Sequence, residues 1–378
     1  MNYSISDYFP TSYQQSRQKF RSWLPFIQEH WPNASRENRP IPDQDNLTID
    51  WIQADSLGPK EEVILLNAGL HGVEGYVGSA MQTLFVEEFI PRLDPQTAGI
   101  VLVHAINPWG MENKRRVNPN NVDLNRNFMV EKTIFQSEFN PDYRDLDPTL
   151  NPPGTLTGLF GETSKLFLNV WRSLTKNGIT SLRNAVLLGQ RSYPDGLYFC
   201  GEDYQDETCY MMELITSLFE VYSSIIQIDL HTGYGPRYQM SLVNSPSETR
   251  TSEELEEEFK YPRALKADPD QFYKMQGDMI DWAYRLRSDK YLGKSYFGTA
   301  FEFGTYGSGT LTEIISLRTM IFENQLYCHG SSSKEVEEVV RKRFLELFCP
   351  DEIRWKEKAL EDCRQAYQGI FKAYGLIK

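Results

Sequence analysis

Three short runs dominated by aliphatic residues, 63–70, 99–106 and 225–230, constrain this chain most. A strand that is apolar along its whole length has both faces covered, which marks a parallel sheet held between helices. Between the first two runs lies 77–90, where Val77, Met81, Leu84, Phe85 and Phe89 recur at helical spacing. Strand, helix and strand in that order give a βαβ unit with parallel strands. The fold is therefore read as α/β, with a mostly parallel central sheet.

The rest of the chain fits that frame. Helices are predicted over 16–30, 163–177, 205–222, 333–348 and 353–374, with a helix start in the acidic run 251–259. Shorter strands are predicted at 239–243 and 299–303. Segment 128–162, with four prolines, reads as irregular, and 107–127 reads as a long functional loop. No Pro/Gly/Ser-rich linker divides the 378 residues, so one domain over 1–378 is expected, with insertions around 130–205 and 245–295.

Sheets of this class carry their sites at the carboxyl ends of strands. The first run leads directly into His71-Gly72-Val73-Glu74, and the third ends on His231. Two imidazoles and one carboxylate so placed form the ligand set of a hydrolytic zinc site with an open fourth position. Gly72 and Gly75 are read as letting the turn bend, so that His71 and Glu74 face one point.

The loop 107–127 adds Arg115, Arg116, Asp123, Asn125 and Arg126. Arginine suits bidentate carboxylate recognition, and beside a metal it can also stabilise an oxyanion. Asp123 can accept a hydrogen bond from a metal-bound histidine and fix its ring. Glu302 lies between Phe301 and Phe303, a setting that desolvates a carboxyl, raises its pKa and suits a general base.

The formal charge of −13 argues against nucleic acid or an anionic membrane as partner. Five cysteines without metal-ligand spacing fit free thiols in a reducing cytoplasm. The first residues lack the pattern of a signal peptide, and no run of 18 apolar residues exists.

Taken together, His71-x-x-Glu74, Asp123-x-Asn125-Arg126-Asn127-Phe128, Asp229-Leu230-His231-Thr232-Gly233 and Glu302-Phe303-Gly304-Thr305 resemble the zinc carboxypeptidase superfamily, closest to a bacterial branch of unknown function. The aspartoacylase and succinylglutamate desuccinylase group is a related branch. The resemblance implies a mixed, mostly parallel sheet of about eight strands with helices on both faces. It implies one Zn2+ per chain on His71, Glu74 and His231, with Glu302 as general base and then acid. It places Asn125 and Arg126 on the substrate carboxylate and gives oxyanion stabilisation to Arg116, with Arg115 in reserve. Asp123 matches the partner of the first histidine. Tyr234 and Tyr306 are two candidates for a capping tyrosine, and 189–201 for a substrate-pocket loop.

The leading expectation is a zinc hydrolase that cleaves an amide bond beside a free carboxylate, in a peptide or another small substrate. The alternatives are an N-acyl amino acid deacylase of the aspartoacylase type and a non-catalytic metal- or peptide-binding module. A serine esterase is disfavoured, because no Gly-x-Ser-x-Gly elbow occurs.

Overall fold

The computed structural model describes residues 5–132, 140–170, 172, 188–266 and 277–378. Eight strands form one sheet: β1 (Ser35–Pro40), β2 (Thr48–Ala54), β3 (Glu62–Ala68), β4 (Ala98–His104), β5 (Ser224–Thr232), β6 (Met240–Asn244), β7 (Ala264–Lys266) and β8 (Ser295–Phe303). Their order is β1-β2-β4-β3-β5-β8-β6-β7. The four central strands, β4-β3-β5-β8, run parallel, and β2 and β6 join them antiparallel. The sheet is mixed, as expected, and its three most central strands include the first and third apolar runs.

Each central strand splits its side chains between two cores by simple alternation. On β3, Ile64, Leu66 and Ala68 enter a core built with the helices Gly75–Glu88 and Ile353–Ala373. Val63 and Leu65 enter the opposite core, built with the helices Asp206–Val221 and Met279–Lys290. On the second face of β5 and β8, Gln227 lies opposite Gly298, Asp229 opposite Ala300 and His231 opposite Glu302. That face becomes polar toward the strands' carboxyl ends.

Several elements depart from the reading above. The segment 16–30 is two helices, Tyr13–Ser22 and Leu24–His30. Segment 128–162, expected to be irregular, contains the helix Pro141–Leu150, which tolerates Pro141 in its first turn. The predicted strand 299–303 extends back to Ser295. The helix expected over 163–177 is helical through residue 170, and 173–177 lies outside the described residues. All five cysteines are free. Among the described residues no helix is long and apolar enough to cross a membrane.

Candidate metal centre

β3 ends at Ala68 and the backbone passes through a single 3-10 turn, Gly72–Glu74, directly into the helix Gly75–Glu88. His71 sits before this turn in an extended conformation and Glu74 closes it. That spacing brings His71 Nδ1 within 2.9 Å of Glu74 Oε1. From the neighbouring strand, His231 Nδ1 comes within 3.0 Å of Glu74 Oε2. One ligand atom from each of His71, Glu74 and His231 falls within 4.8 Å of the others, and all three residues are buried.

Each imidazole is held from behind by a second carboxylate. His71 Nε2 meets Asp123 Oδ1 at 3.1 Å and His231 Nε2 meets Asp229 Oδ2 at 2.6 Å. With a metal bound, both Nε2 atoms would carry the ring proton and both Nδ1 lone pairs would face the ion. Arg116 closes one side, with Nε donating to Asp123 Oδ2 at 3.0 Å and Nη1 to Glu74 Oε1 at 3.3 Å. The Thr232 backbone N–H donates to Glu74 Oε2 at 3.0 Å.

The electrostatics match a cation site. Burial opposes ionisation of Glu74, yet His71 and His231 hold its carboxyl well below the usual range. Burial likewise works against Asp123, and Arg116 and His71 hold it low. Burial would lower the His231 pKa, but Asp229 and Glu74 lift it well above the ordinary value. A field that favours a proton would also favour a divalent ion, which would replace that proton if it bound. Two imidazole nitrogens and a carboxylate fit zinc by ligand type.

Glu302 lies opposite His231 in the β5–β8 register, on the same face of the sheet. It keeps a partly solvent-facing edge, and its Oε1 accepts the Tyr234 backbone N–H at 2.9 Å. Burial, then repulsion from Glu74, pushes its carboxyl up to about 7. A carboxyl poised near neutrality beside such a cluster can both accept and return a proton.

The family model described as a protein of unknown function, DUF2817, matches residues 9–362. The chain belongs to this family. Comparison with curated protein sequences finds no match. Among solved structures, this DUF2817 chain is similar to bovine thrombin-activatable fibrinolysis inhibitor in complex with tick carboxypeptidase inhibitor. That match has 14% identity and a TM-score of 0.46, over 89% of this chain and 98% of the other. It is also similar to carboxypeptidase A from Helicoverpa armigera, at 12% identity and a TM-score of 0.46, over 93% and 78% of the two chains. An aspartoacylase family protein from Mesorhizobium loti matches at 15% identity and a TM-score of 0.35, over 80% and 69%.

Not every expected site residue of this DUF2817 chain joins the cluster. Arg115 turns away: its guanidinium pairs with Glu323 at 2.7 Å, bonds Asn324 at 3.1 Å and stacks over the Tyr327 ring at 3.6 Å. Its charge faces the helix Thr310–His329 rather than the three donor atoms. Its backbone carbonyl instead receives the Val73 N–H at 2.8 Å and braces the metal turn.

Asn125 is also committed at both ends. Its amide donates to Asp278 at 3.0 Å and accepts from the Met279 N–H at 3.1 Å, anchoring the start of the helix Met279–Lys290. Arg126 stays buried nearby and bonds the Asn125 carbonyl at 2.9 Å. Tyr306 spends its hydroxyl on the Arg343 carbonyl at 3.1 Å, whereas the Tyr234 side chain is exposed. Loop 189–201 packs against Asp123, whose backbone N–H donates to Phe199 O at 2.8 Å.

Neither Gly72 nor Gly75 adopts a positive φ. Gly72 is needed for space: a Cβ there would meet the Gly110 backbone at 2.2 Å. Asp229 was not singled out above, although strand alternation puts residues two apart on one face and pointed to it beside His231.

Proposed function

We propose that the protein is a zinc-dependent hydrolase that cleaves an amide bond adjacent to a free carboxylate, in a peptide or an N-acyl amino acid. One observation carries this reading: Glu302, with its carboxyl near neutrality, shares the sheet face of His231 beside three converging donor atoms. A structural metal site is closed by four protein ligands, whereas three ligands and an adjacent unligated carboxyl describe a hydrolytic one.

His71, Glu74 and His231 would hold one zinc ion, with Asp123 and Asp229 fixing the two rings. The bound ion would polarise the scissile carbonyl and acidify water. Glu302 would take the proton from the attacking water and return it to the leaving amine. Arg116, partly exposed and pinned by Glu74 and Asp123, would donate to the oxyanion. Arg126 would meet the substrate carboxylate.

Metal content, turnover and the Glu302→Gln variant test the proposal together. Expected are about one zinc per chain, hydrolysis of N-acyl amino acids or C-terminally free peptides, and a variant that keeps zinc with turnover down by about 100-fold or more. Zinc binding without hydrolysis of either substrate class would favour a binding module. Full activity in Glu302→Gln would remove the base assignment.

A further inference from the structure

A line of buried polar side chains runs across the sheet away from His231. Asp229 accepts His231 Nε2–H on Oδ2, and its Oδ1 accepts the amide of Asn67. The Asn67 carbonyl accepts from Gln227 at 3.3 Å. The Gln227 carbonyl accepts the Tyr296 hydroxyl at 2.8 Å. These residues come from β3, β5 and β8 and lie on one face, and all are buried.

The direction of the line is forced by chemistry. An ionised carboxylate only accepts. Asn67 must therefore present its NH2 to Asp229, which leaves its carbonyl for the NH2 of Gln227. The carbonyl of Gln227 is left for a hydroxyl that must donate. Burial pushes the Tyr296 hydroxyl well above its ordinary pKa, so it remains a donor. Gly298, opposite Gln227 in register, makes the last contact possible: a Cβ there would lie 2.4 Å from the Tyr296 hydroxyl oxygen.

We propose that Tyr296, Gln227 and Asn67 form a one-way chain of donors ending on Asp229, which fixes His231 with its Nδ1 lone pair open for the metal. The inference rests on the reading of His231 as a ligand. Every donor in the chain points toward Asp229, so each bond polarises the next and the carboxylate is held in orientation. Asp229 in turn keeps the proton on Nε2. Tyr296, Gln227 and Asn67 are positioning residues, since none touches the centre itself.

The test is zinc affinity by chelator competition in Tyr296→Phe, with Tyr284→Phe as control. The two rings pack edge-to-face at 4.7 Å, but the Tyr284 hydroxyl donates to Glu248 and lies outside the chain. Removing a direct partner of a ligand costs about 10–100-fold in affinity, and about threefold to tenfold is expected at the far end of the chain. Tyr284→Phe should lower the melting temperature without moving zinc affinity.

Nitrogen-15 spectra of the His231 ring should report an altered ring-nitrogen environment only in Tyr296→Phe. If that variant does not fold, Gln227→Met interrupts the chain with an unbranched side chain of similar length. Equal zinc affinities in wild type and Tyr296→Phe, or equal losses in both tyrosine variants, would overturn the chain. Failure of the wild-type protein to bind zinc would instead overturn the metal reading, and the chain's role with it.

Discussion

Gly72→Ala is the most demanding probe of the centre. The added Cβ would fall 2.2 Å from the Gly110 carbonyl carbon, 2.3 Å from the Met111 nitrogen and 2.4 Å from the Gly110 Cα. All three are backbone atoms of the buried short helix Pro108–Glu112, whose start is capped by Asn107. No side-chain rotation relieves the clash. Restoring an ordinary contact requires the turn and that helix to separate by about 1.2 Å. His71 and Glu74 flank Gly72, and metal–ligand distances tolerate only about 0.2 Å. A shift several times that tolerance should raise the zinc Kd by about 100-fold or more, or about 2.7 kcal/mol. Overpacking should also cost about 1–3 kcal/mol of stability in the metal-free protein. Competition with a fluorescent chelator measures the first effect and thermal unfolding the second. Gly161→Ala, where nothing lies within 4 Å, is the control. A Gly72→Ala protein with wild-type zinc affinity would refute the claim that close packing of this turn sets the ligand geometry.

Other expectations follow from single side chains. Arg126→Ala should raise KM for substrates with a free carboxylate and leave amidated analogues unaffected; equal losses on both would remove its assignment. Glu207 is buried under the loop that carries Arg116 and Asp123, where it accepts from Asn118 at 3.4 Å, and burial pushes its carboxyl up to about 7. Because the folded state favours the protonated form, stability should be greatest below about pH 4.5 as far as this group is concerned. It should fall through pH 7 by up to about 3 kcal/mol. Glu207→Gln should flatten that fall, as read from denaturant unfolding at several pH values; an unchanged slope would show that the group does not titrate abnormally.

Much of this architecture was legible because the central strands are apolar on both faces and end on chemistry. The candidates His71, Glu74 and His231 stand out because each follows or closes such a run, and Glu302 because two phenylalanines flank it. The helix Thr310–His329 was missed for a physical reason. Its second half buries Glu323, Asn324 and Gln325 along with Phe322 and Leu326, so no apolar stripe repeats at helical spacing. β1 and β2 were missed because β1 is a polar edge strand and β2 carries the buried Asp50, which is paired to Arg21 at 2.7 Å. Sequence shows which groups the loop offers, Arg115 and Asn125 among them, but not that Glu323 and Asp278 arrive from distant elements to pair with them.

The pairing of β3 with β5 also governs when the centre can exist. His71 and Glu74 are three residues apart, but His231 lies 157 residues from Glu74. Closing a loop of that length costs about 4.5 kcal/mol of chain entropy before any contact is gained. An ion meeting the unfolded polypeptide finds only the local pair. The third donor is placed by the long-range pairing of β3 with β5, so an ion held by all three residues would join a scaffold already formed.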